Sequence, residues 1–123
     1  MNPAQLEKAL NEMPAVTLIT EIPEIQNAIA HLLKSNQEMR EFDPDNKDPD
    51  FIQAIKENAA LIKRKETQVD ITLQVIRERL GEAAWREMGS NVKEFRELHA
   101  QELKAEQQFQ QTKADKDEEG IFL

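Results

Sequence analysis

The 123-residue chain has no cysteine and no tyrosine, and only three glycines and one tryptophan. Without cysteine there is neither a disulfide nor a thiolate zinc site, a composition that suits an intracellular protein. Strands draw on aromatic and β-branched side chains, and their turns on glycine, so the same shortages argue against a sheet protein. No apolar run approaches the roughly 18 residues of a membrane span, and the first residues lack a signal-peptide pattern. What remains is an all-α chain with no membrane contact, expected in the cytoplasm, the nucleus or both.

Charge narrows the partners. The net value is −8, whereas binding nucleic acid needs concentrated positive charge. Residues 1–50 carry 10 acidic and 4 basic side chains, residues 51–88 carry 6 and 7, and residues 89–123 carry 8 and 5. The middle segment is therefore the electrostatic complement of the first. Its densest basic run, Lys63-Arg64-Lys65, reads as a solvated helix face.

Taken in order, the chain predicts a short helix over 3–13, with Asn2 as cap, Pro3 in the first turn and Pro14 as terminator. A second helix over 21–42 carries Ile22, Ile25, Ile29, Leu32, Asn36 and Met39 at alternating spacings of 3 and 4, a heptad seam. The polar stretch from Phe42 to Phe51 follows, with a turn at 43–48. There Pro44 and Pro49 push Asp43 and Asp48 out of the helical region. Asp48 then caps a long helix over 49–88, with Pro49 and Asp50 in its first turn. A calcium loop does not fit, because counting from Asp43 the required central glycine and twelfth-position carboxylate are Asp48 and Ala54.

The long helix bears a matching seam of Ile52, Ile55, Ala59, Ile62, Glu66, Val69, Leu73, Ile76 and Leu80, which predicts an antiparallel coiled-coil hairpin. One register places Asn36 near Ile55. A one-turn slip places it near Asn58, where two amides satisfy each other. The sequence leaves both open. At 1.5 Å per residue the arms measure roughly 31 and 60 Å, and the N-terminal helix is expected to cover the overhang along Leu80, Ala84 and Trp85. An off-seam row of Ala54, Leu61, Ile71 and Val75 needs cover from the same chain or from another molecule. Leu61, Ile71 and Val75 are the expected partner face, with Trp85 either packing the hairpin end or anchoring a partner.

Gly89-Ser90-Asn91 is the expected break in the long helix. A third, weakly packed helical segment over 89–112 should follow, with Val92, Phe95, Leu98, Leu103 and Phe109 on its apolar side. Residues 113–123 form a charged tail ending in Ile121-Phe122-Leu123, a triplet suited to capture in a pocket or to docking on the chain's own surface. His31 and His99 belong to no metal spacing. There is no phosphate loop, cysteine nucleophile or nucleophile elbow, and the carboxylates fall on exposed positions where nothing shifts their pKa values. Neither catalysis nor a cofactor is expected.

Two motifs point further. Glu24-Ile25-Gln26-Asn27-Ala28-Ile29-Ala30-His31-Leu32-Leu33-Lys34-Ser35-Asn36 and Phe51-Ile52-Gln53-Ala54-Ile55-Lys56-Glu57-Asn58 resemble the two helical motifs of the fungal ATPase-dedicated proteasome assembly chaperone family, also called translation machinery-associated protein seventeen. The Ile121-Phe122-Leu123 ending is similar to that family's as well. Residues 81–112 are richer in helix formers than the family pattern. The resemblance implies a stress-adaptive chaperone that binds the N-terminal region of the proteasome ATPase subunit numbered six and helps it pair with the subunit numbered three. The tail is also similar to the hydrophobic-Tyr-any ending of proteasome activators, which would imply a core-particle contact, although Phe122 lacks the tyrosine hydroxyl.

Asn27, His31, Lys34 and Glu38 form a polar stripe off the seam, expected either as a recognition face or as a solvated one. Two other functions fit the same residues. The off-seam row could close a homodimer or four-helix bundle, making a structural coiled coil, or the hairpin could be a translation-associated, prefoldin-like binding module.

Overall fold

Helix formation starts at Asn2, whose side chain accepts from the Gln5 N–H at 2.8 Å while the Gln5 side chain accepts from the Asn2 N–H at 3.2 Å, a capping box that satisfies two otherwise free donors. In the computed structural model, which describes residues 2–107, helix α1 spans Pro3–Glu12, α2 Ala15–Phe42, α3 Pro49–Leu80 and α4 Glu82–Leu98. A further helical run, α5, covers 100–107. The fold is all-α.

Helix α2 begins at Ala15, directly after Pro14, rather than at residue 21 as expected, and it runs through Pro23. A proline inside a helix removes one backbone bond and costs about 3 kcal/mol or more. Two facts let the helix continue. Pro23 and Ile19, the residue whose carbonyl loses its donor, are both exposed to water, and Leu18 and Ile22 on one side and Ile25 and Ile29 on the other are all buried.

The buried row of α2 is Leu18, Ile22, Ile25, Ile29, Leu33 and Asn36, so Leu33 replaces the expected Leu32 and Met39 is only half-buried. Steps of 4, 3, 4, 4 and 3 average to the period of a straight helix, about 3.6 residues, not the 3.5 of a supercoiled pair. On α3 the buried set is Ile55, Ala59, Ile62, Val69, Thr72, Val75 and Ile76. It widens toward the C-terminal half because more than one element packs there.

The turn is closed by Asp43 as well as by Asp48. The Asp43 carboxylate accepts from the Lys47 N–H at 3.0 Å and the Asp48 N–H at 2.9 Å. Asp48 caps α3 through the Asp50 and Phe51 N–H groups. Asn46 takes the left-handed φ of 55° that the reversal requires, a conformation asparagine tolerates better than most residues.

Two layers then cover α3. Helix α1 doubles back at Met13 and Pro14 to lie beside α3, not beyond it along Leu80, Ala84 and Trp85 as expected. Leu6, Leu10 and Met13 share a cleft with Thr67, Gln68 and Ile71, and Arg79 donates to two carbonyls at the end of α1, that of Leu10 at 3.1 Å, which also accepts from the Met13 N–H, and that of the cap residue Met13 at 2.5 Å. A cation there also meets the negative end of the helix dipole.

Helix α4 packs on α3 as well. The long helix therefore ends at Leu80, not at 88, because Gly81 takes φ 94°, ψ 178°. Side-chain-bearing residues rarely adopt that conformation. Gly89, the expected break, lies inside α4, and the third segment begins at Glu82 and not at 89.

The two glycines should respond oppositely to alanine. Neither would meet a neighbour with its new Cβ, so backbone preference decides. Gly81→Ala should destabilise by roughly 1–3 kcal/mol, whereas Gly89→Ala should stabilise by roughly 0.5–1 kcal/mol. Urea denaturation of the two variants measures both.

Candidate functional site

The most elaborate side-chain arrangement centres on Asn36, which is completely buried. Its Oδ1 accepts from Asn58 Nδ2 at 3.0 Å, and its Nδ2 donates to the Ile55 carbonyl at 3.4 Å and to Glu106 Oε2 at 3.1 Å. Asn36 thus meets both of the residues that the two registers offered it, Asn58 through its amide and Ile55 through its carbonyl. Asn58 Nδ2 also reaches Ser35 Oγ at 3.5 Å. Glu106 is 3% exposed, and Arg40 holds both its oxygens in a fork, Nη1 to Oε1 at 2.5 Å and Nη2 to Oε2 at 3.1 Å. A bidentate pair of this type is among the stronger hydrogen-bonded contacts, and it ties α5 to α2.

A second node repeats the pattern one helix earlier. Arg96 of α4 donates from Nε to Glu66 Oε2 and from Nη2 to Asp70 Oδ1, both at 2.9 Å. Glu66, the charged member of the α3 seam, therefore faces α4 and its guanidinium. The ion pairs join the third segment to the first two. The residues that make them, Arg40, Arg96 and Glu106, went unselected in the sequence because their partners lie 26 to 70 positions away and no periodicity links them.

Other expected site residues separate into free and enclosed. Asn27, His31, Lys34 and Glu38 are all exposed, on the side of α2 away from its buried row. Val75 is 0% exposed and does not form a partner face. Ile71 lines the α1–α3 cleft of about 500 Å³, with Lys63 and Arg64 also in its wall, and Leu61 is half-buried. The off-seam row is therefore largely covered by the chain itself. Trp85 is half-buried, with the Arg77 guanidinium 4.5 Å from its ring centre, a cation–π contact that engages the ring within the chain. The Ile121-Phe122-Leu123 triplet lies outside the described residues, as does Phe109. Among the described residues no helix is long and apolar enough to cross a membrane.

The family model of the TMA17 helical domain matches residues 2–83, about two-thirds of the chain. The chain belongs to the TMA17 family. The matched segment takes in α1, the Asn36–Asn58 hairpin and the Gly81 break, while α4 beyond its first residues and α5 lie outside it. Comparison with curated proteins and with solved structures finds no match.

If Asn36 and Glu106 act as one unit, their substitutions are not independent. Asn36→Ala, which strands the buried groups of Glu106 and Asn58, should cost roughly 1–3 kcal/mol, whereas Glu106→Ala, which leaves Asn36 its other partners and Arg40 open to water, should cost roughly 0.5–1.5 kcal/mol. The double variant should cost less than the total of the two by about 0.5 kcal/mol or more, which a double-mutant cycle in urea reads directly.

Proposed function

We propose that this TMA17-family chain is a non-catalytic chaperone of proteasome assembly, acting in the cytoplasm and nucleus under stress. It binds the N-terminal coiled-coil region of the regulatory-particle ATPase subunit numbered six and promotes pairing with the subunit numbered three. The observation that carries this reading is the family match across the entire α2–α3 hairpin. The fold supports it, since a hairpin of two long helices offers ridges and grooves to which a further helix packs. The polar stripe of Asn27, His31, Lys34 and Glu38 is the recognition face we assign on α2, because core packing does not require those four side chains.

Self-association loses its main motive. The apolar row that would have closed a homodimer is filled from within, with Val75 enclosed and Ile71 beside α1.

Purified regulatory-particle ATPases should co-purify with the chain. The combined change Asn27→Ala, His31→Ala and Lys34→Glu should weaken that capture roughly tenfold, an amount equal to about 1.4 kcal/mol, with the helical circular-dichroism signal unchanged. Undiminished capture would remove the stripe from the proposal. No capture by the unmodified chain would overturn the function.

A further inference from the structure

The α5 helix sits on the hairpin by polar contacts more than apolar ones. Among its described residues, 100–107, Leu103 and Glu106 alone are buried. Leu103 faces α3, and Glu106 is received by Arg40 and Asn36 of α2. Packing around this pair is incomplete, for a cleft of about 390 Å³ opens between Ala59, Ile62, Lys63 and Thr67 on one side and Leu103 and Glu106 on the other. A joint precedes it: His99, φ −105° and ψ 18°, ends α4.

The receptor, in contrast, belongs to the hairpin and survives without α5. Asn36 keeps Asn58 and the Ile55 carbonyl as partners. The Arg40 side chain is 36% exposed, so water reaches its guanidinium when Glu106 leaves. Opening α5 therefore strands no buried charge, the condition under which breaking an ion pair becomes costly.

We propose that α5 is a displaceable strap and that the groove beneath it is a binding site for a partner helix carrying an aliphatic residue followed three positions later by a carboxylate. Leu103 and Glu106 occupy that site as an internal copy of the partner's motif. The aliphatic side chain fills the space over Ala59 and Ile62, and the carboxylate is taken by the Arg40 fork and the Asn36 amide. The site deepens the assembly-chaperone reading and rests on it for the partner's identity. It makes binding competitive with the chain's own α5, so that a partner lacking the carboxylate does not displace the strap.

A fluorescent peptide of residues 95–107 serves as the probe, with the full-length chain as receptor. Its affinity, read by anisotropy, should be roughly tenfold higher for the chain carrying Leu103→Asp and Glu106→Ala, whose own strap no longer competes, than for the unmodified chain. Adding Arg40→Ala should remove the gain. In the unmodified chain, amide exchange needs no substitution. Residues 100–107 should exchange faster than Ile25–Leu33 and Ile62–Ile76. Equal peptide affinity in all three chains, or strap amides as slow as those of the core, would overturn the proposal, as would a dimer in light scattering of the strap-released chain, which would make a second copy the occupant.

Capture of the ATPase segment separates this idea from the function it rests on. Capture indifferent to strap release and to Arg40→Ala would overturn the groove and uphold the chaperone reading. Peptide exchange without any ATPase capture would do the reverse.

Discussion

A carboxamide buried at a helix–helix seam is tolerated only when its polar groups are matched, and at Asn36 that requirement connects three elements at once. Asn58 supplies the donor for its oxygen, while the Ile55 carbonyl and Glu106 accept from its nitrogen. Sliding α2 by a turn against α3 would part Asn36 from Asn58 and set an unmatched amide among aliphatic side chains. Ile and Leu contacts alone tolerate such slips, because one aliphatic ridge fits many grooves. The amide pair thus selects one register, the use for which buried polar residues in coiled coils are best attested. With the register set, Arg40 and Asn36 stand together on one side of the hairpin, and the position of α5 follows.

The hairpin was legible for a simple reason. Its determinants are local or periodic: Asn2 and Asp48 as caps, Pro14 and Pro49 at helix ends, and apolar residues every three or four positions. Even the Asn36–Asn58 pairing was available as one of two registers. The errors arose where periodicity was extended past its validity. A strict heptad selected Leu32, but Leu18 to Asn36 follow a straighter helix and bury Leu33. A start at residue 21 leaves out the turn before Pro23, where burial of Leu18 and Ile22 outweighs one lost backbone bond.

The candidate site was less legible, and the reason is topological. Whether Ile71 and Val75 face solvent depends on where α1 and α4 go, and each direction is decided at one joint: Pro14 for α1 and Gly81 for α4. Gly81 and Gly89 are equivalent by propensity. The difference between them, φ 94° at the first, comes from whether α4 gains more by lying back on α3 than by extending it. Met88 and Val92, both buried, settle that in favour of return, with Arg96 fastening the end of α4 to Glu66 and Asp70. The exposed stripe on α2 was readable because it depends on one helix only. The Glu106 receptor was not, since it brings together residues that lie 66 and 70 positions apart.

A gradient of chemistry runs along the molecule. Near Gly81 the layers meet through aliphatic side chains, with Leu10, Leu18, Ile22, Val75 and Ile76 all at 0% exposure. Toward the hairpin turn the third layer is held instead by Asn36, Arg40 and Glu106. Apolar burial gives roughly 1.5–3 kcal/mol for each large side chain and must be given up entirely when a layer lifts, whereas a carboxylate that leaves an arginine regains water on both sides. Polar seating therefore makes the α5 end of the bundle the part that can open while α1–α3 remain folded. A protein that has to receive a helix from outside and later release it is better served by such a seat than by another aliphatic layer, because the same exchange of hydrogen-bond partners operates in both directions.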